Sequence, residues 1–204
     1  MRVLAIVVAV LAWEGAAWAR PVEDGTRVTL FAGARYVPHQ HFIDEAQASG
    51  DPVSSSLAIG PEALVSFSYA PQPSIEISLE VGYAYDHYTL QSGPLTMQNV
   101  PLVASLRWMP FDGRFCPYLG AGGGYMLGMV SGGTADQKDA HAQEFHAMLG
   151  FIFPLTPTIW LTAEDRFQLA SADILPIGQV QTGGNALLVG LSFTLEPAKD
   201  IAPH

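Results

Sequence analysis

Eight charged residues are the chain's main chemical resource: Arg27, Arg35, Arg107 and Arg166, with Glu62, Glu76, Glu80 and Glu164. Each falls on the polar side of a stretch in which apolar and polar residues alternate, so strands would turn all eight to one face. Equal numbers of the two signs suit a water-poor enclosure, where an unpaired charge is expensive. Glu76 and Arg107 are expected near the same end of neighbouring strands. Arg35 and Glu62 are expected in the opposite half of another neighbouring pair. The network reads either as a charged gate across a narrow pore or as a structural plug. The plug is favoured, because a small barrel leaves little room beyond its side chains.

Other reactive residue types form weaker patterns. His39-x-His41, followed by Asp44 and Glu45, could bind a metal with His87 or His141 from elsewhere. The spacing lacks the rest of a defined site, so solvated loop residues are the simpler reading. No metal and no cofactor is expected. His146 and Glu144 share one face, but a nucleophilic site also needs a serine or threonine beside them. The sequence fixes none there, so an enzyme is not expected. Gly120, Gly122, Gly123 and Gly124 precede neither Gly-Lys-Ser/Thr nor a helix, which excludes a phosphate loop. They read as close backbone packing inside a barrel. The single cysteine, Cys116, cannot form an intramolecular disulfide and reads as an inert strand residue near a turn.

The elements that must position these residues are strands. The stretch Ser74 to Asp86 places Ile75, Ile77, Leu79, Val81, Tyr83 and Tyr85 against Ser74, Glu76, Ser78, Glu80, Gly82, Ala84 and Asp86. Its length fits the ~9–11 residues that a tilted strand needs to cross a bilayer. Similar alternation recurs over 26–36, 57–69, 97–109, 115–129, 144–153, 159–169 and 186–195, which makes eight strands. The connections 70–74, 110–114 and 154–158 are tight and marked by proline, whereas 37–56, 87–96, 130–143 and 170–185 read as long polar loops. In an up-and-down antiparallel barrel, all the short turns then fall at one end and all the long loops at the other. That asymmetry is typical of transmembrane β-barrels in the bacterial outer membrane.

Composition agrees with this reading. The chain is 49% hydrophobic and only 14% charged, against about a quarter charged in soluble domains. A net charge of -10 argues against nucleic-acid binding. Arg2, the apolar run Val3 to Trp13 and the small-x-small site Ala17-Trp18-Ala19 read as a cleaved signal peptide over 1–19. Export through the Sec pathway follows from it. One barrel domain is expected over 20–195, with a short periplasmic tail over 196–204.

The orientation of the faces rests on aromatics at the strand ends. Tyr36, Tyr83, Tyr85 and Phe145 lie toward the long-loop end; Tyr69, Trp108, Phe151, Phe153 and Phe193 lie toward the short-turn end. Two such rings are what a membrane's two interfaces select. A soluble lipocalin-like barrel, with its apolar face inward, is the alternative. Asp165 breaks the pattern by falling on the apolar face, either at a bulge or close to an interface.

The run Phe115-Cys-Pro-Tyr-Leu-Gly-Ala-Gly-Gly-Gly-Tyr125 resembles the fifth-strand segment of the OmpW family and of OmpA-like eight-stranded barrels. Ala163-Glu164-Asp165-Arg166-Phe167 resembles a segment common in such barrels, from which Asp165 departs. Residues 188–195 are similar to the terminal strand that the outer-membrane assembly machinery recognises, although this chain continues past it. The resemblance implies outer-membrane lipid, lipopolysaccharide and the assembly machinery as partners. It implies passive passage of a small or hydrophobic solute, or structural support of the membrane. The motif of the lipid A deacylases is not matched. A cell-surface interaction protein acting through its loops is the alternative from a different class.

Overall fold

The computed structural model describes residues 25–195 apart from 39, 49, 57–58, 112, 114, 133–134, 175–177 and 182. The expected signal peptide and C-terminal tail lie outside the described residues. Among the described residues, ten strands and one helix follow in the order β1 (Gly25–Tyr36), α1 (Gln40–Ala48), β2 (Val53–Ser56), β3 (Ile59–Gln72), β4 (Ile75–Leu90), β5 (Gly93–Trp108), β6 (Cys116–Gly132), β7 (Ala135–Pro154), β8 (Ile159–Ile174), β9 (Gly178–Gln181) and β10 (Asn185–Thr194). β1 pairs with β3, each later long strand pairs with the next, and β10 closes the ring between β8 and β1. All pairings are antiparallel. The result is a closed barrel of eight strands, with β2 added beside the end of β4 and β9 beside the end of β8.

Alternation fixes which way each side chain points. Along β4, Glu76, Ser78, Glu80, Ala84, Asp86 and Tyr88 are buried, while Ile77, Leu79, Val81 and Tyr83 are exposed. The same division holds on the other long strands: Leu30, Phe67, Leu106, Leu127, Leu149, Phe167 and Leu191 all face outward. A barrel with leucines outside and paired charges inside is built for a lipid surround. It does not fit the lipocalin-like alternative, which needs its apolar face inward.

The short turns follow expectation in place and chemistry. β3 and β4 are joined by Pro73 and Ser74. In the β7–β8 connection the Thr156 hydroxyl accepts from the backbone N–H of Ile159 at 3.0 Å. The opposite end differs from the expected long loops. Residues 87–90 and 93–96 remain paired strand, and the hairpin turns over Gln91 and Ser92 alone. Much of 130–143 likewise continues the β6–β7 ladder. Polar residues can extend a ladder once the hairpin below them is set, since its hydrogen bonds are made by the backbone. The stretch 37–56 holds α1 and β2, and 170–185 holds the end of β8 and β9.

α1 covers this end of the barrel. Phe42 and Ala46, one helical turn apart, are both buried. They join Tyr88, Leu90, Leu95, Met97, Met126, Val130, Ala142 and Ala170 in an apolar cluster. The Phe42 and Tyr88 ring centroids are 4.3 Å apart. A second apolar cluster, with Met109, Cys116, Tyr118, Met148, Ile152 and Trp160, lies toward the short-turn end.

Candidate functional site

The lumen between the two apolar clusters holds charged side chains in two tiers. All eight of the residues singled out from the sequence are buried there. Toward the short-turn end, Arg107 of β5 meets Glu76 at 3.0 Å and Glu80 at 2.6 Å, and Arg27 pairs with Glu76. From the opposite wall, Arg166 of β8 reaches Glu80 at 2.7 Å, and Glu164 accepts from Arg107 at 3.3 Å. Arg166 also pairs with Glu164 at 2.6 Å, and the Tyr118 hydroxyl donates to Glu164 at 2.7 Å. Ser78 donates to Glu80 at 2.9 Å. Each of the three glutamates in this tier therefore touches two guanidiniums. Arg27 lies over the Trp160 ring, 4.7 Å from its centroid, which adds a cation–π contact.

The upper tier lies toward α1. Arg35 pairs with Asp86 at 2.6 Å and stands 3.9 Å from Glu62. Asn99 donates to Asp86 at 3.2 Å, and Gln168 donates to Glu62 at 3.0 Å. His146 Nδ1 is 3.4 Å from Glu144 Oε1. Its Nε2 is 3.0 Å from the Ser105 hydroxyl. Ser105 is the serine that the sequence did not place beside His146 and Glu144. It comes from β5, with β6 between it and His146 of β7.

Gly122 makes that contact geometrically feasible. It is in register with both Ser105 and His146, so the imidazole passes over it to reach the hydroxyl. A Cβ built at Gly122 would come within 2.5 Å of His146 Nε2. Gly60 plays the same part between Arg35 and Asp86: it is in register with Arg35, and a Cβ there would meet Asp86 Oδ1 at 3.0 Å. Of the four glycines expected inside, Gly123 is the exception. It is in register with outward-facing Phe145, whose ring its Cβ would meet at 3.1 Å.

The expected pairs Glu76–Arg107 and Arg35–Glu62 are thus brought together, the second only loosely. The expected balance of charge is corrected. Asp86 and Glu144 are buried in the same lumen, so six carboxylates share it with four arginines among the described residues. Both were legible: each sits at the inward position of its strand's alternation, but near the end where loops were expected.

The outward aromatics stand where the pattern put them. Tyr36, Tyr69, Tyr83, Trp108 and Phe145 are exposed, while Tyr85, Phe151, Phe153 and Phe193 are partly covered. Asp165 also faces outward. The ladder on both sides of it runs without a register shift, opposite Leu149 and Leu187, so no bulge turns it inward. Phe151 and Phe153 lie on one side of it along the barrel wall and Phe145 on the other. It therefore sits between the two groups of aromatics along the wall.

His39 and the side chain of His41 lie outside the described residues. No group of His, Cys, Asp or Glu tight enough to hold a metal unaided is found among the described residues. Cys116 is buried at the start of β6 and its thiol donates to the Phe111 carbonyl at 3.4 Å.

No protein-family model and no curated protein sequence matches the chain. Solved structures do. The outer-membrane protein OprG from Pseudomonas aeruginosa superposes with a TM-score of 0.57 at 13% identity, over 86% of this chain and 98% of that one. The attachment invasion locus protein Ail of Yersinia pestis, solved with the heparin analogue sucrose octasulfate, gives 0.50 at 9% identity, over 85% and 99%. Neisserial surface protein A gives 0.48 at 19% identity, over 84% and 97%. The chain has the fold of the small eight-stranded outer-membrane barrels.

Proposed function

We propose that this chain is an integral protein of the bacterial outer membrane that serves as a closed structural barrel, not as a standing pore. One observation carries the reading. Glu80 and Arg166, at 2.7 Å, and Glu164 and Arg107, at 3.3 Å, join opposite walls of the lumen. α1 and its apolar cluster close the end above. A passive channel for small solutes would first have to break desolvated ion pairs, each costly to disrupt.

Lipid and lipopolysaccharide are the surroundings this outer surface fits, and β10 is the segment offered to the assembly machinery. Export would begin at the signal peptide. The Ser105–His146–Glu144 chain serves structure in this reading. All three residues are buried, and the neighbouring strand amides are committed to the barrel ladder, which leaves no ready donors for an oxyanion.

A surface-interaction role is the second reading, favoured by the β4–β5 and β6–β7 hairpins. Their strands of 16, 16, 17 and 20 residues exceed what a bilayer requires. The heparin analogue bound to Ail does not transfer readily. This chain carries a net charge of -10, and its four described arginines are buried in the lumen.

Reconstitution into planar bilayers tests the proposal. The unaltered chain should show no steady conductance, whereas the double variant Glu80→Ala, Arg166→Ala should show discrete openings. Stable open channels in the unaltered chain would refute it.

A further inference from the structure

The two tiers of the lumen differ in charge. In the lower tier, three arginines face three glutamates, and every carboxylate is held twice. In the upper tier, Arg35 is the described arginine in ion-pair contact with Asp86 and Glu62, while Arg166 of the lower tier acts on Glu62 only from a distance. Among the described residues Glu144 has no arginine partner, and its one ion-pair contact is with His146 at 3.4 Å. Three carboxylates thus share one guanidinium in ion-pair contact among the described residues. Even a protonated His146 leaves one negative charge in excess. Glu62, Asp86 and Glu144 are each 2% exposed or less, so bulk water does not compensate them.

Most of the buried atoms of this tier that make no hydrogen bond are oxygens; His146 Nδ1, 3.4 Å from Glu144 Oε1, is an exception. Both Glu144 carboxylate oxygens, Glu62 Oε2 and Gln168 Oε1 accept no hydrogen bond. Gln168 links the two glutamates. Its Nε2 donates to Glu62 at 3.0 Å, and its backbone is in register with His146, the neighbour of Glu144. Glu62 and Glu144 lie within electrostatic reach of each other. Carboxylate and amide oxygens together, with water to complete the shell, are the ligands of hard divalent cations. An amide oxygen and water are needed here, because the acidic groups alone do not close around an ion.

We propose that the upper lumen binds one hard divalent cation, Ca²⁺ or Mg²⁺, between Glu144 and Glu62, with Gln168 Oε1 as a third ligand. One such ion cancels the two excess negative charges. The site lies between the ionic floor and the apolar lid of α1.

The test uses the full folded barrel in detergent micelles, stripped with EDTA and titrated with CaCl₂ or MgCl₂ by calorimetry, with thermal unfolding followed in parallel. One saturable site per chain is expected, with a rise in Tm that EDTA reverses. Glu144→Gln and Glu62→Gln should each weaken binding at least tenfold, and Asp44→Asn, on exposed α1 surface, should not. In EDTA, Glu144→Gln should unfold at a higher temperature than the unaltered chain, because it removes an unpaired buried charge. Should Glu144→Gln not fold, Glu62→Gln decides the matter. Absence of saturable binding, or binding unchanged in the glutamine variants, would overturn the proposal. So would stabilisation of the EDTA-treated chain by acid alone, with no response to either salt.

Discussion

Glu80 and Arg166 meet at 2.7 Å although they stand on β4 and β8, opposite walls of an eight-stranded ring. The same Glu80 carboxylate is held by Arg107 at 2.6 Å and by the Ser78 hydroxyl at 2.9 Å. With Glu164, which meets Arg107 at 3.3 Å, it is one of the two carboxylates through which the lower tier spans the lumen.

Glu80→Gln should therefore be among the most damaging isosteric changes in the barrel. It leaves three arginines facing two glutamates where water is excluded. Removing one partner of a buried ion pair costs about 3–5 kcal/mol. Urea unfolding in micelles should show a loss in that range. Arg166→Gln added to Glu80→Gln should cost less than the sum of the two single changes.

Gly122→Ala should destabilise the barrel by about 1–3 kcal/mol through overpacking, because its methyl group would fall 2.5 Å from His146 Nε2. In a His146→Ala background the penalty should shrink, since the obstructing ring is gone. Some cost should persist from the Ala104 carbonyl, 2.4 Å from the same Cβ position. A double-mutant cycle measures the difference, and strictly additive costs would contradict the crossing of β6 by His146.

Leu79 and Asp165 test the outward face from two directions. Leu79 is 56% exposed, midway along the part of β4 between its aromatics and its turn. Leu79→Arg should impair folding into liposomes by about 2–4 kcal/mol, the cost of a cation near the bilayer midplane. Asp165→Leu should instead improve folding by up to about 2 kcal/mol, since an acidic residue at that depth costs less than a basic one. Folded fractions are read from heat-dependent gel mobility. Indifference to both changes would mean that lipid does not face this surface.

The barrel was legible in the sequence because a period of two leaves little freedom: once Ile77, Leu79 and Val81 share a face, Glu76 and Glu80 must share the other. All eight strands lie where the alternation placed them. Partner choice was less legible. Strand parity says that Arg35 points inward, but whether it takes Glu62 from the adjacent strand or Asp86 from the one beyond depends on Gly60, a residue with no side chain to notice. Ser105 escaped in the same way, since its link to His146 depends on Gly122. α1 was missed because Phe42 and Ala46 are its only fully buried apolar positions. Two such residues in a polar stretch give little helical signal before the surface they cover is known.

The glycines at 60 and 122 carry one more consequence, for how this chain can diverge. Each position is constrained by a conversation between residues on the strands to either side, not by its own contacts with solvent or lipid. Arg35, Gly60 and Asp86 should therefore change together as a unit, as should Ser105, Gly122 and His146. In a descendant that loses one end of either bond, the silent middle position loses one reason to stay empty and keeps the other, the Tyr85 or Ala104 carbonyl 2.3 or 2.4 Å from its Cβ position.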